Sequence, residues 1–99
     1  MNTSRKGNAA ENFIGKDLVA KGFIVGSRRH LKGPGDWLAV HPDGRIWLVE
    51  AKHCKNLWEN FRRDDRQAMR ECLLPPHAER WVANRRGQSI EYVPEADWP

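Results

Sequence analysis

Apolar side chains fill two short runs, residues 37–40 and 46–49, on either side of the polar stretch His41-Pro42-Asp43-Gly44-Arg45. Proline at the second turn position and glycine at the fourth predict a type I turn that closes with glycine in the left-handed region, a three-residue hairpin loop with a bulge. That loop pairs His41 with Arg45, Val40 with Ile46, Leu38 with Leu48 and Asp36 with Glu50. A two-residue loop would send Asp36 and Glu50 to opposite faces. In the preferred register their Cβ atoms lie about 5 Å apart, and Lys52 projects from the same face. Leu38, Val40, Ile46 and Leu48 line one side of the hairpin, and Trp37, Ala39, Trp47 and Val49 line the other. Both faces are apolar, so cover is expected from helices on one side and from a helix or a second subunit on the other. Trp37 and Trp47 are assigned to core or to a dimer interface in preference to base stacking.

Upstream, Ala10, Phe13, Ile14 and Leu18 recur at three- and four-residue spacing and predict a helix over 8–22. Asn8 is its expected N-cap with Glu11 closing a capping box, and Gly22 ends it. Glu11 also has a second reading, as an acid reaching the hairpin carboxylates. Residues 23–28 form a short strand, and 29–34 a loop with three cations and a Gly-Pro break. Leu57, Trp58 and Phe61 lie in an irregular stretch. A helix with Asp64 as N-cap and Gln67 at the third position runs to residue 73, burying Ala68, Met69, Cys72 and Leu73, before Pro75-Pro76 stops it. Strands at 79–84 and 89–93 flank a turn, and the tail from 94 is irregular. The order is α-β-β-β-α-β-β, and the second helix crosses over to make the following strand parallel to one of the hairpin strands.

Ninety-nine residues, 39% hydrophobic and 30% charged, suit a single domain over 1–99. No run approaches the roughly 20 apolar residues of a membrane span, and residues 1–6 lack the apolar segment of a secretory signal, so a cytoplasmic location and no membrane partner are expected. Cys54 and Cys72 fit reduced thiols and lack zinc-site spacing. The net charge of +4 permits an anionic partner. Basic pairs near element ends make the case sharper, since phosphate contacts need cations around a groove. A solvated basic face remains the plainer reading.

Asp36 opposite Glu50 places like charges together, and something must compensate them. A divalent cation would do so, because magnesium is held by one or two carboxylates plus substrate phosphates. The bland alternative is an ion-pair cluster in which Lys52 neutralises the acids. Pro34-Gly35-Asp36, thirteen intervening residues and Glu50-Ala51-Lys52 resemble the PD-(D/E)XK nuclease signature. With Glu11 on a preceding helix, the chain is most similar to the archaeal-type Holliday junction resolvases.

The resemblance implies a restriction-endonuclease-like α/β core, a mixed sheet flanked by helices, and Mg2+-dependent cutting of DNA four-way junctions by a homodimer in recombination and repair. Mn2+ is a possible substitute, and the products carry 5′-phosphate and 3′-hydroxyl ends. Asp36, Glu50 and the Ala51 carbonyl would hold the metal, Glu11 would assist a second metal, and Lys52 would stabilise charge developing on phosphorus. Arg5, Lys6, Arg28, Arg29, Lys32, Lys55, Arg62 and Arg63 would contact DNA. Family members carry a functional serine in a flexible loop at about residues 29–34; Ser27 precedes that loop and His30 lies in it, so neither is assigned that role. The competing readings are a restriction or repair nuclease of the same superfamily, a non-catalytic nucleic-acid-binding module on the same fold, and a structural protein whose acids and lysine merely pair.

Overall fold

The turn at residues 41–45 sets the centre of the fold. The computed structural model describes residues 2–28 and 33–99, with side chains from Asn8 onward. In it the His41 N–H donates to the Arg45 carbonyl at 2.9 Å and the Gly44 N–H to the His41 carbonyl at 2.9 Å. Gly44 takes φ of 101°, the left-handed value that the bulged loop demands. The Asp43 carboxylate locks the turn by accepting the Arg45 N–H at 3.0 Å. The resulting register is the expected one, with Val40 against Ile46, Ala39 against Trp47, Leu38 against Leu48 and Trp37 against Val49.

Around this hairpin the described residues form helix α1 (Asn2–Ala20), strands β1 (Ile24–Ser27), β2 (Trp37–Val40) and β3 (Ile46–Lys52), helices α2 (Leu57–Asn60) and α3 (Arg63–Glu71), strands β4 (Glu79–Arg86) and β5 (Ser89–Pro94), and a closing 3-10 turn (Glu95–Asp97). Among them, five strands make one mixed sheet in chain order. β3 and β4 are parallel, joined through α2 and α3, and every other pairing is antiparallel. The α/β class, the helix-flanked mixed sheet and the parallel step match the sequence expectation.

The sheet is covered on both sides by this chain alone. On one face Ile14, Leu18 and Phe23 pack on Ala39, Trp47, Val49 and Ala83. Helix α1 approaches closely there, for a Cβ on Gly15 would stand 2.5 Å from the Trp37 ring. On the other face Leu57, Phe61 and Met69 pack on Leu48 and Val82, and Trp98 closes the cluster. No second subunit is needed to bury the hairpin, although Ile24 and Val40 at its outer edge stay exposed.

Four details depart from the expectation, the first being helix α2 (Leu57–Asn60), which forms where an irregular stretch was expected and adds a second helix between β3 and β4. Helix α1 begins at Asn2 rather than at residue 8, so Asn8 is no N-cap and Glu11 lies in the helix interior; continuing helical hydrogen bonds through residues 2–7 displaced the local capping signal. Helix α3 starts at Arg63 with Arg62 as N-cap and stops at Glu71, so the cap lies two residues before the expected Asp64, which becomes the second helical residue, and Leu73 is 98% exposed. The tail is not loose: Trp98 is buried, and its indole N–H donates to the Val93 carbonyl at 3.0 Å.

Candidate active site

Asp36 stands one residue before the β2 ladder, where three backbone contacts fix it. Its N–H donates to the Val49 carbonyl at 2.8 Å and its own carbonyl accepts the Arg28 N–H at 2.9 Å. Its Oδ2 accepts the Ala51 N–H at 2.8 Å, which the end of β2 leaves without a strand partner. The regular ladder ends at Trp37 and Val49, so the expected cross-strand pair of Asp36 with Glu50 does not form, and Asp36 meets β3 through its N–H bond to Val49 and this side-chain bond to Ala51. Gly35 makes the approach possible: its φ is 87°, and a Cβ there would lie 2.7 Å from Leu48 Cδ1.

Glu50 and Lys52 follow Leu48 at two-residue spacing and leave β3 from the face of the sheet that α3 covers. Lys52 Nζ lies 3.5 Å from Glu50 Oε2. Glu11 comes from α1, whose backbone is tied to the hairpin by the Trp37 indole N–H donating to the Glu11 carbonyl at 2.8 Å. The Glu11 carboxyl stands close enough to Asp36 to raise its pKa. Gly35, Asp36, Glu50, Asp65 and Met69 line a cleft of about 530 Å³.

The electrostatics are those of crowded acids. Burial, then the neighbouring Asp36 charge, pushes the Glu50 carboxyl up to about 7, with Asp65 adding to the rise and Lys52 opposing it. Burial likewise raises Asp36 to about 6; the Glu11 carboxyl adds to this, while the Ala51 N–H and Lys52 work against it. One lysine thus fails to compensate the acids around it. Among the described residues no three His, Cys, Asp or Glu side chains form a ready-made metal cage. The donor chemistry nevertheless suits a hard cation, since every acid here offers carboxylate oxygen, the ligand magnesium prefers.

The four expected site residues Glu11, Asp36, Glu50 and Lys52 are thus brought together. Asp65 was not foreseen. It sits at the third position of α3, where its Oδ2 accepts the Arg62 N–H at 3.2 Å, and it lines the same cleft as Glu50. The available signal was an acid in a first helical turn; placing the cap at Asp64 concealed it.

The expected DNA contacts are more dispersed. The Arg28 Nε–H donates to the Pro34 carbonyl at 3.0 Å, bracing the loop that leads into Asp36. The Arg62 Nε–H donates to the Glu59 carbonyl at 3.1 Å, and Arg63 is exposed. Lys55 lines a separate cleft beside α2. The side chains of Arg5 and Lys6, and Arg29, His30 and Lys32 entirely, lie outside the described residues. No helix among the described residues is long and apolar enough to cross a membrane. No family model, curated protein or solved structure matches the chain.

Proposed function

We propose that this protein is a metal-dependent DNA endonuclease of the PD-(D/E)XK type, cutting four-way junctions in the manner of the archaeal-type resolvases it resembles. The observation that carries the reading is that Asp36, just ahead of β2, and Glu50 of β3 line one cleft with Lys52 and Glu11 beside them, both cleft acids being pushed up by burial and like charge. An ion-pair cluster kept for stability alone gains little from crowding acids that a single lysine cannot neutralise. The element order, with an antiparallel meander followed by a parallel crossover, is the order expected for a restriction-endonuclease-like core.

Asp36 and Glu50, with the Ala51 carbonyl, would hold Mg2+, with Mn2+ as a possible substitute. Such a cation supplies Lewis acidity toward a phosphate ester and lowers the pKa of water. Lys52, 3.5 Å from Glu50, would stabilise negative charge growing on the phosphate. Glu11, beside Asp36, would assist a second metal or position its water. Homodimerisation rests on the approximate two-fold symmetry of a four-way junction, which two opposed sites would match; the apolar hairpin no longer argues for it.

The deciding experiment incubates the protein with a labelled four-way junction, a matched linear duplex and a nicked duplex, with and without magnesium, beside Glu50→Gln. Magnesium-dependent paired cuts in the junction, absent in the variant, are expected. Cutting of the linear duplex at equal rate would replace the junction reading with another nuclease of the same superfamily. Binding without cutting under every metal condition would leave a binding module.

A further inference from the structure

A second cleft, of about 420 Å³, lies between α2 and the β4–β5 hairpin, and the nuclease chemistry does not use it. Its size is within the roughly 300–1,000 Å³ of small-ligand clefts. It contains Trp58, at 37% the most exposed of the five tryptophans. The ring is held in place by Phe61, with centroids 6.4 Å apart, and by the Arg66 guanidinium 5.8 Å from its centroid. The remaining chemistry is polar. Lys55 supplies a cation at the rim, and carboxylates stand on two sides: Glu59, bonded by Asn56 at 3.3 Å, and Glu91, bonded by Arg86 at 3.1 Å.

Its position relative to the first cleft is fixed by the sheet. Lys52 is the cross-strand partner of Asn84, and Asn84 that of Glu91. By alternation, Glu50, Lys52, Asn84, Arg86 and Glu91 therefore share one face. Asn84 is fully buried and clamps the chain just ahead of α2, accepting the Cys54 N–H at 3.1 Å and donating to the Cys54 carbonyl at 3.0 Å. Lys55 is three residues beyond Lys52, so their Cα atoms are at most about 11 Å apart.

We propose that this cleft takes one unpaired nucleotide of the bound strand, its base stacked on Trp58 and its phosphate on Lys55. The inference rests on the nuclease reading for the presence of a strand at Lys52. A fixed, partly exposed indole is a stacking platform for any base, and lysine is a phosphate contact. Glu59 and Glu91 add acceptors for the exocyclic amino groups at a base edge. A paired base inside a duplex cannot lie on the indole, so the site favours strands that are open next to the scissile phosphate.

The test uses metal-free full-length protein and a fluorescein-labelled oligonucleotide of about eight nucleotides, single-stranded or as a duplex, read by anisotropy. Trp58→Ala is expected to weaken single-strand binding about tenfold, with Trp58→Phe restoring it to within about twofold and duplex binding unchanged. Lys55→Ala should lower the salt dependence of single-strand binding by about one phosphate contact. Unaltered single-strand affinity in folded Trp58→Ala, or equal losses on single strand and duplex, overturns the proposal. Should Trp58→Ala fail to fold, tryptophan quenching of the unaltered protein by the oligonucleotide replaces it, and an absence of quenching at saturation is equally fatal. Because no metal or cleavage enters the assay, a protein that binds single strands through Trp58 yet never cuts refutes the nuclease reading and keeps this one.

Discussion

The two faces of the sheet differ in what covers them and in what they hold. The α1 face is aromatic and continuous: Trp47 lies 4.4 Å from Trp81 and 4.6 Å from Phe23 between ring centroids, and Tyr92 joins them while donating to Asp17 Oδ2 at 2.7 Å. The opposite face begins apolar at Ile46 and Leu48, then turns ionisable at Glu50 and Lys52 along the same strand. Its cover comes from two helices of four and nine residues, against nineteen in α1. A single strand thus carries two designs, with residues 47, 49 and 51 serving the core and 50 and 52 leaving it. Aromatic packing lies where the cover is long, and charged side chains where short helices leave a cleft.

The contrast is broken most severely from the aromatic side. Trp47→Ala removes a ring that is 8% exposed and central to that cluster. The expected cost is about 3–5 kcal/mol, measured by chemical denaturation. A loss below about 1 kcal/mol would mean that α1 does not depend on this cluster for its seat.

On the cleft side the same strand should behave in the opposite way. Glu50→Gln is expected to remove magnesium-dependent cleavage by at least roughly a hundredfold while leaving junction binding largely intact. In metal-free protein near pH 8 it should raise stability by about 1–2 kcal/mol, because it deletes a charge that burial and Asp36 disfavour. A structural ion pair with Lys52 predicts a loss instead. Thermal melts of the two proteins in chelator separate these outcomes.

The pH dependence follows with a fixed sign. Asp36 and Glu50 titrate higher in the folded chain, at about 6 and about 7, than their ordinary values of 3.8 and 4.5. The folded state therefore binds more protons between those limits, and metal-free stability should fall as pH rises from roughly 4 to 8. Magnesium should offset that fall, giving a larger rise in melting temperature at pH 8 than at pH 5. A magnesium effect independent of pH would separate the cation from these two acids.

What the sequence made legible and what it concealed divide along the same lines. The hairpin register was readable because Pro42, Asp43 and Gly44 determine it locally, and it brought Asp36 to the end of the ladder near Glu50, although the expected pair between them does not form. Glu11 was readable only as one of two roles, and the helix extension to Asn2 removed the capping role. Asn84 and Trp98 were hidden because each acts across a long separation in the chain, and Asp65 because the cap was placed at Asp64. Asn84 clamps Cys54 thirty residues away, and nothing in the short-range pattern of residues 84 or 98 announces burial. The length of α3 was misjudged for a related reason: Leu73 fits the helical stripe, but the helix ends at Glu71.

The smallest expected effect is at the turn that serves both faces. No atom lies within 4 Å of a Cβ built on Gly44, so any cost of substitution there comes from its backbone alone, at φ of 101°. Gly44→Val should destabilise the protein by about 1–2 kcal/mol, and Gly44→Asn by less, since asparagine tolerates left-handed geometry. Because the turn sits at the opposite end of β3 from Glu50, folded Gly44→Val should keep magnesium-dependent cleavage and the magnesium-induced rise in melting temperature. A one-residue slip would instead carry Glu50 and Lys52 to the aromatic face and abolish both together. Denaturation and cleavage measured on the same preparation distinguish strain from slippage, and a folded variant that loses both magnesium responses would show that Gly44, beyond tolerating the turn, selects the register that assembles the site.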